Sequence, residues 1–147
     1  MPEGSCLCGA VRFATDGNVT PLQYCHCSRC KKSSGSAFVA AVAARTNRFR
    51  WLAGEQEIVI YEAPILETPP PYRNAFCRRC GSPLPVPGAA GPFTVIPAGL
   101  FDGDPGTRAF RHIFVGMKAP WYEISDGLPQ FEAHVPLDQR LPRSEES

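Results

Sequence analysis

Seven cysteines are the residues of this chain best able to do chemistry, and they fall in three tight groups: Cys6-Leu7-Cys8, Cys25-His26-Cys27-Ser28-Arg29-Cys30, and Cys77-Arg78-Arg79-Cys80. Thiolates one or two residues apart can turn toward a single small ion, and zinc takes about four ligands with Zn–S near 2.3 Å. Seven sulfurs suit two ions, one closed by four thiolates and one held by three with a position left open. A closed site holds a fold together, whereas an open one can bind or activate a substrate.

Spacing alone leaves the grouping open. One arrangement joins Cys6 and Cys8 to Cys77 and Cys80 and leaves Cys25, Cys27 and Cys30 for the second ion. A rival joins Cys27 and Cys30 to Cys77 and Cys80, as in a zinc ribbon, and strands Cys6, Cys8 and Cys25. The first is favoured because it keeps each local group whole, and because tying the N-terminus to mid-chain restricts the unfolded ensemble strongly. His26 lies inside the middle group, but neighbours on an extended chain point to opposite faces, so its expected role is a hydrogen-bonded histidine beside the site. His112 and His134 have no ligand-like neighbours and read as surface or strand positions. Clustered cysteines in small proteins more often hold structural than catalytic zinc, so a purely structural or empty middle site competes with the open-site reading.

Those thiols need a scaffold. At 147 residues, 44% of them hydrophobic and nine of them Phe, the chain is expected to form one domain with a real core. Sixteen Pro and thirteen Gly favour short strands and turns over long helices, and metal cross-links would reinforce so thin a core. A net charge of +1 gives no nucleic-acid footprint. An odd cysteine count, close spacings and no apolar run after a basic start oppose a disulfide framework. No stretch approaches the roughly 20 apolar residues of a membrane span. The expectation is a soluble cytoplasmic protein with reduced, metal-bound thiols.

Along the chain, alternation over residues 5–15 predicts one strand showing Cys6 and Cys8 on the same face. A turn at 16–18 and a strand over 19–24 lead into the middle cysteines. Residues 28–36 read as a helical turn or a loop, stopped by Ser34-Gly35-Ser36. Further strands are expected over 37–44, 49–52, 58–61, 72–76, 93–98 and 109–115, with a proline-rich connection over 64–71 and a turn at 125–128. The reading is mainly β, a single domain over 1–135 built of several short sheets, followed by a polar, frayed tail over 136–147.

The motifs also match a family. Gly4-Ser5-Cys6-Leu7-Cys8-Gly9-Ala10-Val11, Cys25-His26-Cys27-Ser28-Arg29-Cys30 with Ser34-Gly35-Ser36-Ala37-Phe38, and Phe76-Cys77-Arg78-Arg79-Cys80-Gly81 resemble the glutathione-dependent formaldehyde-activating (GFA) family. His112-Ile113-Phe114-Val115, Lys118-Ala119-Pro120-Trp121 and Asp126-Gly127-Leu128-Pro129-Gln130-Phe131 are similar to it as well. The resemblance implies an Mss4-like fold of several short coiled β-sheets cross-linked by zinc. It implies a structural zinc at Cys6, Cys8, Cys77 and Cys80 and a catalytic zinc at Cys25, Cys27 and Cys30. The implied activity is condensation of glutathione with formaldehyde to S-hydroxymethylglutathione, formally a carbon–sulfur lyase reaction run in reverse. Outside the cysteines, no glutathione-binding residue transfers position by position.

Three thiolates make zinc a weak Lewis acid, which favours activation of a thiol over activation of water. Arg29, Lys31 and Lys32 are available to guide glutathione carboxylates, although exposed basic residues are usually solvated charge. Phe38 and Trp121 are candidates for a pocket wall, but an aromatic in a small β protein is more often core. The alternative function is a zinc-stabilised module that binds glutathione, another thiol or a protein without catalysis. The oligomeric state is not legible in the sequence.

Overall fold

In the computed structural model of the chain, residues 2–62, 73–88 and 91–134 are described. They form ten short strands: β1 (Glu3–Ser5), β2 (Arg12–Thr15), β3 (Leu22–Cys25), β4 (Val39–Arg45), β5 (Phe49–Ala53), β6 (Ile58–Glu62), β7 (Arg73–Cys77), β8 (Pro83–Leu84), β9 (Phe93–Pro97) and β10 (Ala109–Ile113). The α-helix among the described residues, α1 (Ser28–Ser34), has seven residues. The mainly β expectation therefore stands. Both the proline-rich connection and the tail expected after residue 135 lie outside the described residues.

The strands make three sheets in the orders β1-β2-β5, β10-β3-β4-β9 and β6-β7-β8. The named pairings are antiparallel except β10 with β3, which run parallel. β5 and β6 are near neighbours in sequence but enter different sheets, β5 pairing with β2 and β6 with β7. The short turn between them thus carries the chain from one sheet to another.

Two apolar clusters join the sheets. Phe13 of β2 is fully buried and packs with Val42, Ala44 and Ile96, uniting the first two sheets. Its ring lies 5.4 Å from Phe49, 6.2 Å from Trp51 and 5.8 Å from Phe101, between centroids. Burying such a side chain contributes roughly 1.5–3 kcal/mol. The second cluster joins Cys6 and Val11 to Ala75, Cys77 and Leu84, uniting the first and third sheets. Two of the seven thiols, Cys6 and Cys77, are thus part of this second cluster.

The strand expected over residues 5–15 is instead a hairpin, with Cys6 following β1 and the chain turning before β2. The alternation of residue types was real, but backbone groups decided otherwise: Gly9 N–H donates to Cys6 O at 3.0 Å, and Cys6 N–H donates to Val11 O at 3.0 Å. Gly9 takes φ +79°, a left-handed conformation that glycine adopts without a Cβ penalty.

Candidate metal centres

The first centre is built from two related turns. After β7, Gly81 N–H donates to Cys77 O at 2.8 Å and Cys77 N–H to Ser82 O at 3.0 Å, with Gly81 at φ +77°. The outer bond, to the carbonyl five residues on, matches that of the Cys6 turn, whose inner bond is one residue tighter. In both turns a backbone N–H points at the first sulfur: Val11 N–H donates to Cys6 Sγ at 3.3 Å, and Arg79 N–H to Cys77 Sγ at 3.4 Å. The two hairpins face each other, so the sulfurs of Cys6, Cys8, Cys77 and Cys80 all lie within 4.8 Å of one another. The Cys6–Cys8 separation is 3.6 Å and the Cys8–Cys77 separation 3.9 Å. Four sulfurs at 2.3 Å from a tetrahedral zinc are about 3.8 Å apart, so the spacing fits that ion.

Ser82 links the two turns. Its hydroxyl oxygen accepts from Leu7 N–H at 2.9 Å and lies 3.3 Å from Cys80 Sγ. That hydroxyl, followed by the Ser82 backbone, holds the Cys80 thiol down at about 5. Arg78 and Arg79 flank the sulfurs and pair with Glu57 at 3.3 and 3.2 Å. Cationic charge therefore sits beside a cluster that becomes anionic when it binds metal.

The second centre comes from one continuous segment. Cys25 ends β3, Cys27 is the N-cap of α1 and Cys30 lies in the helix. Cys27 Sγ accepts from Cys30 N–H at 3.4 Å, so the residue that starts the helix also aims its sulfur at the centre. Gly35, at φ +65°, ends the helix, where its N–H donates to Lys31 O at 2.8 Å. The three sulfurs lie within 4.8 Å of one another, with Cys27 and Cys30 buried and Cys25 half-buried. The thiols strongly bias each other's ionisation. The neighbouring sulfurs of Cys25 and Cys30, aided by the backbone N–H groups of Cys30 and Arg29, push the Cys27 thiol far down. Contact with Cys27 pushes Cys25 up to about 11, and contact with Cys25 and then Cys27 pushes Cys30 up. In protein alone, one thiolate thus forms at the expense of its neighbours. A donor set of this kind fits a cation whose charge all three can share.

His26 turns away from these sulfurs, as the alternation argument requires, and is fully buried. Its Nε2 lies 2.8 Å from Nδ1 of His112, which is also fully buried, and His112 Nε2 lies 2.9 Å from Asp126 Oδ2. His112 is thus a strand residue, as expected, but not a surface one. Phe38 packs on His26 at 5.2 Å, Tyr24 at 4.5 Å and Tyr122 at 5.6 Å between ring centroids, an aromatic wall beside the centre. Trp121 stands apart from this wall at 72% exposure.

Backbone turns complete the surroundings. Phe114 has φ +56°, and such a conformation in a residue with a side chain costs roughly 1–3 kcal/mol. It opens the turn that brings Met117 to α1, where Met117 O accepts from Lys31 Nζ at 2.5 Å. Lys118 Nζ donates to Ala119 O at 3.1 Å and to Tyr122 O, fixing the loop that carries Tyr122. Lys31 is therefore tied to backbone, while Lys32 is exposed. Sequence reasoning named His112 without a role and missed Asp126, Lys118 and Tyr122. The resemblance placed all but Tyr122 in similar runs, but nothing in the spacing of 26, 112 and 126 shows that they meet.

The fold and the two thiol clusters define a class: a small β protein whose short sheets meet at candidate metal centres. The chain belongs to the glutathione-dependent formaldehyde-activating enzyme (GFA) family, whose sequence model it matches over residues 1–117. It is similar to a Halomonas elongata protein whose name assigns it provisionally to the glutathione-dependent formaldehyde-activating enzymes. The two are 34% identical over 125 residues, covering 83% of this chain and 80% of that one. It also resembles a Rhodobacter sphaeroides protein solved by crystallography, with a TM-score of 0.53 and 19% identity, covering 73% of this chain and 98% of that one. This last likeness is one of fold.

Among the described residues no helix is long and apolar enough to cross a membrane.

Proposed function

We propose that this chain condenses glutathione with formaldehyde to S-hydroxymethylglutathione, or acts on a related thiol adduct, as a zinc-dependent carbon–sulfur lyase working toward synthesis. The observation that carries the reading is the pairing, within a GFA-family chain, of a four-sulfur cluster with a three-sulfur one. Cys6, Cys8, Cys77 and Cys80 hold a structural zinc. Cys25, Cys27 and Cys30 would hold a second zinc, whose charge would assist ionisation of a substrate thiol near neutral pH, where a free thiol of pKa about 8.5 is mostly protonated.

The chain's own residues prepare that centre. Cys27 and Cys30 are buried while Cys25 is half-buried, which leaves approach from the Cys25 side. The wall of Tyr24, Phe38 and Tyr122 keeps His26 dry and fixes the segment behind the sulfurs. In the net reaction the thiol sulfur bonds to the formaldehyde carbon. The carbonyl π pair moves to oxygen, and the proton given up by the thiol ends there. No oxidant or reductant is needed. Reduced thiols suit the cytoplasm, a small-molecule thiol is the partner, and a net charge of +1 favours neither nucleic acid nor an anionic membrane surface.

The test is zinc per chain on reduced protein, with and without glutathione, alongside the rate of S-hydroxymethylglutathione formation followed by NMR. Two zincs per chain and a rate above the uncatalysed one, both lost in Cys27→Ser, are expected. A single zinc that glutathione never changes, with no rate above background, sinks the enzyme reading and leaves a thiol-binding or interaction module.

A further inference from the structure

Behind the three-sulfur centre runs a buried polar chain that neither the four-sulfur centre nor the proposed chemistry uses. His26 and His112 are both fully buried, and their rings meet through nitrogen atoms 2.8 Å apart. His112 Nε2 then reaches both oxygens of Asp126, at 3.1 and 2.9 Å, at the protein surface. Contact with His112 lowers the Asp126 carboxyl below its usual range, so a carboxylate stands ready to accept from His112 Nε2. His26 Nδ1 has no partner of hydrogen-bonding geometry among the described residues. The 2.8 Å contact to His112 is therefore the strongest polar anchor of a ring that also approaches the Ala37 backbone.

The backbone explains why these residues meet. His112 and Tyr24 are partners in the parallel β10–β3 ladder, Ile113 partners Cys25, and His26 N–H donates to Ile113 O at 3.0 Å. Outside β10, His112 N–H donates to Pro129 O at 2.9 Å, and Phe131 N–H donates to His112 O at 3.0 Å. The segment that carries Asp126 is thus laid along the same strand, and Leu128 N–H donates to Asp126 Oδ1 at 3.1 Å to hold the carboxylate in place. Asp126 lies beyond the residues matched by the family's sequence model.

We propose that Asp126 and His112 are positioning residues for the three-thiolate centre: they lock the His26 ring, and with it the peptide units between Cys25 and Cys27, so that the sulfurs on either side converge. The physical case is one of lever and anchor. Adjacent residues on an extended segment point to opposite faces, so fixing His26 on one face fixes the directions of Cys25 and Cys27 on the other. Without His112 the buried His26 ring would lose its strongest polar anchor and carry unmatched polar atoms, leaving mainly its packing on Phe38 and Tyr122 to hold it. Groups hydrogen-bonded directly to a ligand commonly change metal affinity by about 10–100-fold, and this brace, acting one residue from two sulfurs, is expected at the lower end.

The inference rests on the reading of Cys25, Cys27 and Cys30 as a metal centre, and cobalt(II) titration of the full chain separates the two. Wild type should take up two cobalt ions and Cys27→Ser one, and the difference spectrum then belongs to the three-thiolate centre. In Asp126→Ala and His112→Ala the second cobalt should bind about tenfold or more weakly. Its ligand-field bands should shift, while the first cobalt keeps its wild-type spectrum. Asp126→Asn should restore both properties, because its amide oxygen still accepts from His112 Nε2–H. Equal cobalt uptake by wild type and Cys27→Ser overturns the metal-centre reading. Two ions against one, with affinity and bands unchanged in Asp126→Ala, overturns the positioning role. Should His112→Ala lose even the first cobalt through misfolding, Asp126→Ala decides, since that side chain is 39% exposed and its loss leaves the core intact.

Discussion

The two thiol clusters use the same atoms and opposite construction. The four-sulfur cluster draws on hairpins from two sheets, so that Cys8 and Cys77, 69 residues apart in sequence, stand 3.9 Å apart. Its sulfurs are oriented locally, by backbone N–H groups of each turn and by Ser82. The three-sulfur cluster comes from six consecutive residues, with Cys27 aimed locally by Cys30 N–H, and its proposed brace is distant: His112 and Asp126 behind it. A cluster assembled from afar closes the fold. One assembled locally and braced from afar can lose its ion without opening the molecule. That is the division expected of a cross-link and a reaction centre.

The sharpest break of this comparison is Cys77→Ser against Cys27→Ser. Cys77 is fully buried in the cluster that joins the first and third sheets. Structural zinc commonly contributes about 10–16 kcal/mol of binding free energy that is also folding free energy. Cys77→Ser should therefore lower Tm by more than about 10 °C or prevent folding, as read by calorimetry. Cys27→Ser should shift Tm by no more than about 3 °C, because a serine hydroxyl at the N-cap still accepts from Cys30 N–H, while removing turnover. Equal losses of Tm in the two variants would erase the distinction between the clusters.

Next in size, Phe13→Ala should destabilise the protein by about 3–5 kcal/mol without altering zinc content, because it empties the first core cluster and touches neither set of sulfurs. Denaturant midpoints and zinc assays on the same samples check this. A smaller effect is expected of Lys118→Met, which removes the ammonium that holds the carbonyls of Ala119 and Tyr122. Stability should fall by about 1–3 kcal/mol, with the loss of turnover exceeding that in Phe13→Ala at matched stability. Smallest is Ser82→Ala, which removes the hydroxyl shared by Leu7 N–H and Cys80. Chelator competition should show the four-sulfur centre about tenfold weaker and the three-sulfur centre unchanged.

How much of this was legible beforehand differs between the clusters. Local spacing shows which thiols stay near each other but leaves open which groups share an ion; keeping each group whole favours the grouping now seen in space. The turn at Cys6 was misread as strand because alternating residue types do not reveal that Gly9 takes a left-handed conformation. Residues 28–36 read equally as a helical turn or a loop; the structure has a helix over Ser28–Ser34 capped by the Cys27 sulfur, and a cysteine is not an ordinary capping signal. Of the histidines, His26 was rightly turned away from the sulfurs, but its partners were out of reach of any local argument.

Chemistry written within a few residues was thus determined by the sequence itself: the three thiol groups, the glycine stop at the end of α1 and the mainly β character. Bond geometry along the chain acts over that range. Tertiary structure decided the rest. It set the two hairpins face to face, carried β5 and β6 into different sheets, and laid Asp126 beside His112 and His112 beside His26. Those pairings depend on which β-strands find each other and which apolar faces bury together, and these sums over the whole chain are carried by no single motif.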